Sequence, residues 1–171
     1  MPKLSKFQEH WIGIAHTRVP LKVLDSPAWR VLSFSEKALY IDMRAKVRST
    51  NNGNINATLS EMKHRGWSSS ATLWKGLKTL EHMGLISRTR AGGIGAMSKI
   101  CNLYRFTDMP VLEFPKLRIN EIPATNDYIK IDSVKEAKAR ITEWRRQERA
   151  KQDARRESKH QHLKLVGSKS E

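Results

Sequence analysis

The sequence predicts a mainly α, mixed α+β fold in which two helices separated by a tight turn are followed by a β-hairpin. Three observations within residues 58–107 lead to this prediction. A capping pattern and a glycine mark a short helix and a sharp turn. Leucines at helical spacing define a second helix. Two strand-like segments, residues 85–90 and 100–106, then enclose the stretch AGGIGAMSK, whose glycines suit an exposed hairpin tip.

The first helix of this pair is predicted over residues 59–64. Thr58 and Glu61 have the spacing of a capping box, in which each side chain bonds the other residue's backbone amide. Gly66 supplies the backbone freedom that a sharp turn needs. These signals predict both the start and the end of the helix.

The second helix is predicted to begin at one of three consecutive serines, residues 68–70, each of which can act as an N-cap. Leu73, Leu77 and Leu80 recur at helical spacing, so one stripe faces the core. Gly84 follows as a left-handed C-cap.

The face of this helix opposite the leucines is small and polar at its start and basic further along. A helix that reads DNA needs small groups that approach base edges and cations that reach phosphates. In an isolated helix these residues would indicate only a solvated face, whereas a position between a tight turn and a basic hairpin favours DNA contact. The predicted contacts are Ser68, Ser69, Ser70, Ala71, Thr72, Lys75, Lys78, Thr79 and His82.

The segment NNGNINATLSEMKHRGWSSSATLWKGLKTLEHMGLISRTR resembles the winged helix-turn-helix domains of bacterial, plasmid and phage DNA-binding proteins. An asparagine turn, a capping box, a serine-capped helix and a basic strand occur together, although the turn is one residue longer than in the strict helix-turn-helix. In that family the second helix enters the major groove and the hairpin wing contacts the backbone or the minor groove. The resemblance therefore implies wing contacts at Arg88, Arg90 and Lys99.

Composition divides the chain into four parts. They are an N-terminal extension (1–24), a winged helix domain (25–109), a proline-containing arm (110–132) and a basic helix with a disordered tail (133–171). Within the extension, residues 19–24 are a candidate strand beside the hairpin. The domain itself begins with a helix capped by Ser26 and a second capped by Ser33 or Ser35.

Two C-terminal features are candidates for contacts with other molecules. The arm is expected to be extended and to lie on a surface, either of its own domain or of a second protomer. The last helix, predicted over residues 134–160, begins with an apolar stripe that could serve a homodimer or docking. Its later part is either a solvated helix or an arm that follows phosphates. The cations concerned are Arg145, Arg146, Arg149, Arg155 and Arg156.

The charge of the chain predicts a polyanionic partner. Its 171 residues have a formal net charge of +15 and a pI of about 10.2. No apolar run is long enough to span a bilayer, and the N-terminus lacks the apolar core of a signal peptide. We therefore expect a cytoplasmic protein associated with the bacterial nucleoid and no membrane partner. The single cysteine, Cys101, excludes an internal disulfide.

Motifs for catalysis are missing from the sequence. It contains no Walker A motif, no spacing typical of metal ligands and no arrangement around a nucleophile, and the glycines at 92–95 do not match a dinucleotide fingerprint. We therefore expect no enzyme activity, no cofactor, no metal and no small-molecule ligand.

The leading functional expectation is a sequence-specific double-stranded DNA-binding protein that acts as a transcriptional regulator. A plasmid or phage replication initiator that binds origin repeats is an alternative. The basic tail motivates a second alternative, an RNA-binding protein, and the apolar arm a third, a protein-assembly factor. Trp67 and Trp74 flank the turn, and core packing is favoured over base stacking for Trp74.

Overall fold

The computed structural model describes residues 15–94 and 99–167 as a mixed α+β fold. In those residues there are six α-helices and one three-stranded antiparallel sheet. Helices α1 to α6 are Leu21–Leu24, Pro27–Arg30, Phe34–Arg44, Leu59–Met62, Ser70–His82 and Val134–Gly167. Strands β1 to β5 are Ile55–Asn56, Ile86–Arg90, Gly93–Ile94, Lys99–Ile100 and Leu103–Phe106. Short 3₁₀ helices occur at Lys63–Arg65, Pro115–Leu117 and Asp127–Lys130.

The sheet has β5 at its centre, with β1 and β2 antiparallel on either side. Tyr104 of β5 lies opposite both Ile55 of β1 and Arg88 of β2. Beyond this sheet, β3 and β4 pair as a separate two-stranded ribbon. The predicted hairpin is therefore confirmed in its strands, and the break between β4 and β5 falls at Cys101 and Asn102. Its tip, residues 95–98, lies outside the described residues.

The two helices on either side of the turn are confirmed. The Thr58 hydroxyl accepts the Glu61 amide at 3.4 Å, and Gly66 ends the following 3₁₀ turn with a φ of 90°. Ser69 is the cap of α5. The predicted capping box is only half formed, because the Glu61 carboxylate lies 3.3 Å from Lys46 Nζ. Lys46, fifteen residues earlier in the chain, is the partner of the Glu61 carboxylate, and the local capping pattern could not predict this pair.

The leucine stripe of α5 is buried against α3. Leu73, Leu77 and Leu80 are all in the main core. Between them, Gly76 faces Leu39, and a Cβ at Gly76 would lie 2.7 Å from Leu39 Cδ2. The missing side chain therefore allows the two helices to approach closely. The predicted C-cap is also confirmed, because Gly84 has a φ of 68°.

Residues 21–24 form a helix that contributes to the core, so the expectation of a strand over residues 19–24 is wrong. Pro20 precedes α1, and its carbonyl accepts the Val23 amide at 2.9 Å. Proline cannot donate to a sheet ladder but fits the start of a helix. Val23 is fully buried, which anchors α1 to the domain.

The arm folds back on itself, so the prediction of an extended conformation is wrong. Isolated antiparallel bridges join Val111 to Ile122 and Phe114 to Ile119. Val111 and Ile119 are buried with Leu103 in a small second cluster. Burial of these apolar residues on the chain's own sheet outweighs the tendency of proline-containing segments to extend.

The last helix is longer than predicted and docks on its own domain. Its apolar stripe is buried at Ala137, Ile141 and Trp144, and the first two belong to the main core. Gly167 ends the helix, and the remainder of the predicted disordered tail lies outside the described residues. The first fourteen residues, which precede Ala15, also lie outside them.

Asn52 connects three parts of the chain. Its Oδ1 accepts the Phe106 amide at 2.7 Å, and its Nδ2 donates to the carbonyls of Phe106, Met109 and Pro110 at 2.9–3.1 Å. Asn52 is 3% exposed, so these groups have no access to water as an alternative partner. The side chain joins the loop before β1 to the end of β5 and the start of the arm.

Replacement of Asn52 by alanine is expected to lower the free energy of unfolding by about 2 kcal/mol, because buried backbone groups lose their partners. Urea denaturation of the two proteins measures this difference. The exposed Asn54 provides the matched control, for which we expect a loss of less than about 0.5 kcal/mol. Equal losses at both positions would contradict the structural role of Asn52.

Candidate nucleic-acid interface

The side of α5 that faces away from the core is open to solvent. Ala71, Thr72, Trp74 and Lys75 are all exposed, as are the three serines before them. Gly66 ends the preceding turn, Ser69 caps α5, and the residues at this start of the helix are exposed. Small polar groups and a cation are thus presented together, as the sequence predicted.

Helix α6 runs antiparallel to α5 on one side of this surface. The Trp144 ring lies 5.8 Å from the ring of His82, the last residue of α5. Further along α6, Gln152 lines a cavity together with Thr72, which lies in the first turn of α5. The described helix continues for fifteen residues beyond Gln152, so α6 extends past the N-terminal end of α5.

A cavity of about 360 Å³ lies between residues 144–152 of α6 and the helices α3 and α5. Its cations are Lys75 from α5 and Arg145 and Arg149 from α6, and the Trp67 and Trp144 side chains also line it. Arg145 is already engaged, because its Nη2 lies 3.0 Å from Oε1 of Glu36. The exposed Lys75 and Arg149 are therefore the cations of this cavity best placed to meet a phosphate.

Glu36 is the buried acid of the cavity and the partner of the Ser33 cap. Its Oε2 accepts the Ser33 amide at 2.7 Å, and Ser33 Oγ accepts the Glu36 amide at 3.4 Å, which completes a capping box. Burial raises the pKa of this carboxyl, but hydrogen bonds with Ser33 and Thr79 and the nearby Arg145 guanidinium together outweigh burial and lower the pKa. Glu36 is therefore held ionised.

Two predicted contacts on α5 are less available than expected. Thr79 is 1% exposed and its hydroxyl donates to the Lys75 carbonyl at 3.1 Å, so the prediction that it contacts DNA is wrong. It lies on the side of α5 that α3 and α6 cover, which periodicity alone did not show. Lys78 is half-buried, and its Nζ lies 2.6 Å from Glu81.

A second group of predicted residues lies at the other end of α5. His82 and Arg88 line a cavity of about 370 Å³ together with Lys130 and Arg140. Burial and, next, the nearby Arg140 lower the pKa of His82, so its ring is held neutral near pH 7. With thirteen residues, α5 is about 20 Å long. The predicted site is therefore split between the two ends of the helix.

The cations of the hairpin differ in their accessibility. Arg88 is exposed, whereas Arg90 is half-buried and its Nε has no hydrogen-bond partner among the described residues. Lys99 belongs to β4, but its side chain lies outside the described residues. Arg88 is thus the hairpin cation whose accessibility the structure establishes.

The C-terminal cations differ in their partners and exposure. Arg146 pairs with Glu143 at 2.8 Å and is 75% exposed. Arg155 and Arg156 are exposed on the part of α6 that extends past α5. Between residues 145 and 158 the helix carries six Lys or Arg residues and three acidic residues, so this segment is cationic overall.

Two features of this surface were not among the predicted contacts. Lys63, His64 and Arg65 are exposed in the turn between α4 and α5, and the run KHR directly before Gly66 was the signal for them. Trp74 is 39% exposed and is not among the residues of the main core, so its side chain is more accessible than expected. Its position off the leucine stripe was the signal.

Comparison of this chain with protein-family models, with curated proteins and with solved structures finds no match. In the part of the chain that the structure describes, no three His, Cys, Asp or Glu side chains are grouped as a metal site requires. None of the described helices combines the length and the apolar character needed to cross a membrane.

Replacement of Glu36 by glutamine is expected to lower the free energy of unfolding by about 1–2 kcal/mol at neutral pH, because the neutral amide cannot replace the charge-assisted hydrogen bonds of the carboxylate. The lowered pKa means that this stabilisation is complete above the ordinary value of 4.5 and is lost as the pH falls through the folded-state value. Urea denaturation at pH 7 and near pH 3 measures the difference, which should shrink at the lower pH. The exposed Glu121, changed to glutamine, is the control. A difference that is independent of pH would contradict the role of the charge.

Proposed function

We propose that this chain is a winged-helix protein that binds double-stranded DNA in a sequence-specific manner and acts as a transcriptional regulator. The observation that carries the proposal is the exposed face of α5. It presents small polar groups and Lys75 directly after a sharp turn, while the opposite face is locked into the core. In this proposal α5 enters the major groove, where such groups can reach base edges and phosphates.

The order of the elements supports this assignment. Helix α3 is followed by β1, by the pair α4 and α5, and then by β2, a hairpin and β5, with β5 between β1 and β2. This order agrees with that expected for a winged helix. The β3–β4 ribbon would then be the wing, and Gly92 and Ile100 of the hairpin line a cavity together with Ser70 of the recognition helix.

The electrostatics of the chain also support DNA as the partner. The formal charge of +15 favours association with any polyanion, and the proposed surface concentrates exposed cations in the turn, on α5 and on α6. Helix α6 would place Arg149, Arg155 and Arg156 along the phosphate backbone beside the groove that α5 occupies. These contacts would add affinity without reading sequence.

The two segments that the sequence offered for a homodimer, the arm and the apolar stripe of α6, both pack on their own chain. This removes the sequence-based reason for expecting a homodimer through either of them. We retain a cytoplasmic, nucleoid-associated location as part of the proposal, because it follows from the proposed partner.

Selection of bound duplexes from a random DNA pool tests this proposal. The purified chain should enrich a single sequence motif, and its affinity for that duplex should fall with salt. If about six phosphates are neutralised, the slope of log affinity against log salt should be near −5. Binding without any enriched motif would contradict sequence-specific recognition, and a slope near zero would contradict the electrostatic contacts.

Replacement of Lys75 by alanine is expected to weaken binding to the selected duplex by about three- to tenfold and to reduce the salt slope by about 1. Fluorescence anisotropy with labelled duplex measures both quantities. Lys116, exposed in the arm, provides a control with the same change of charge. Similar losses for both variants would show that only total charge matters and that α5 has no special role.

A further inference from the structure

Trp74 is the one feature of the α5 surface that duplex recognition does not require. The core stripe is already complete without it, and the side chain is 39% exposed. Tryptophan combines a large apolar ring with a polar N–H, which suits it to surfaces that contact another molecule. Lys78 lies one helical turn from Trp74 on the same side of α5, and Lys75 lines the cavity of about 360 Å³ together with Trp74.

The surroundings of Trp74 are open on two sides. The side chain lines the cavity of about 360 Å³ toward α6 and also one of about 320 Å³ toward the hairpin. Both volumes fall at the lower end of the roughly 300–1,000 Å³ typical of sites for small planar or drug-sized groups. The indole ring therefore has room beside it for a flat ligand on either side.

The cavity toward the hairpin combines apolar walls with hydrogen-bonding groups. Leu73 and Tyr104 contribute apolar surface, and Thr58, Ser70 and Asn102 contribute polar groups at its edge. A nucleobase needs this combination, because its faces are apolar and its edges carry donors and acceptors. Exposed aromatic rings flanked by cations are the usual means by which proteins hold unpaired bases.

We propose that Trp74 is a stacking platform for an unpaired base of the bound DNA. The same surface that receives the duplex would then also hold DNA that is single-stranded or locally opened. Lys75 would contact the phosphate next to the stacked base. This inference rests on the proposed function, and it shifts the expected substrate from intact duplex toward DNA with an opened site.

The cations argue for a nucleic acid over other flat ligands. Lys75 and Arg149 line the cavity toward α6, and the exposed Lys63 lies in the adjacent turn. The two acids of that cavity, Glu36 and Glu148, are each paired with another cation. A neutral aromatic compound would gain nothing from this charge, and a cationic one would be repelled. A base joined to phosphates would stack on the indole ring, and its phosphates would pair with the cations.

Binding of the full chain to three DNA probes tests the inference. The probes are a duplex of mixed sequence, the same duplex with one central unpaired thymine, and a single-stranded oligothymidylate. The variants are Trp74→Ala, Trp74→Phe and, as a control, Leu112→Ala, which removes a side chain that is 46% exposed in the arm. Thermal unfolding of each variant verifies that the fold is retained.

We expect Trp74→Ala to weaken binding to the two probes with unpaired bases by about ten- to a hundredfold, the usual effect of losing one stacked base. Trp74→Phe should retain most of the affinity, because a phenyl ring still stacks. Affinity for the intact duplex should change by less than about threefold. The Leu112→Ala variant should behave as the unchanged protein on all three probes.

Equal losses on all three probes would overturn the inference, because they would mean that Trp74 contacts base-pair edges of intact DNA. The absence of any loss would overturn it as well. Binding of the unchanged protein to the intact duplex tests the proposed function separately. Failure of the unchanged protein to bind duplex, together with Trp74-dependent binding of oligothymidylate, would reject the duplex regulator and support the stacking platform.

Discussion

The close packing of α5 on α3 is the constraint on which the rest of the structure depends. Gly76 faces Leu39 with no room for a side chain, so the two helices lie at a short distance and in one orientation. One side of α5 is thereby committed to the core, and the other is left exposed. The sheet and hairpin then lie on one flank of α5 and α6 on the other. Any ligand of α5 must approach between these two flanks.

The docking of α6 changes the character of the exposed surface. Its apolar stripe ends at Trp144, and beyond that residue the same side of the helix carries Glu148 and Gln152. Apolar burial therefore holds the first part of α6 to the domain, while the later part lines an open cavity. The buried Glu36 holds Arg145 and leaves Arg149 free of that partner. The Glu36 carboxylate thus occupies Arg145 and leaves Arg149 for an anionic ligand.

Exposed residues near α5 fall into two groups with different chemistry. The N-terminal group combines small polar side chains, Lys75 and an exposed tryptophan, whereas the C-terminal group collects His82 and several cations around another cavity. The lowered pKa of His82 follows from burial and from Arg140, and it keeps that ring uncharged. The N-terminal group therefore offers both stacking and charge, and it is the better candidate for contact with bases.

The sequence by itself determined the local features of this protein. Helix starts at Ser26 and Thr58 and the turns at Gly66 and Gly84 follow from interactions between residues three or four apart or from backbone conformation at one residue. The sequence left two further starts open, at Ser33 or Ser35 and at one of residues 68–70, and the structure uses Ser33 and Ser69. The sequence pattern also predicted the hairpin strands. The net charge, and with it the expectation of a polyanionic partner, also needed no coordinates.

Only the tertiary structure decided which side chains of the candidate site are accessible. Thr79 is buried because α3 and α6 both cover its side of α5, and Trp74 is exposed because neither the hairpin nor α6 closes over it. The folded-back arm and the helical N-terminal segment likewise depend on apolar partners far away in the chain. Periodicity identifies the side of a helix that faces the core, but it carries no information on which neighbours pack against the remaining sides.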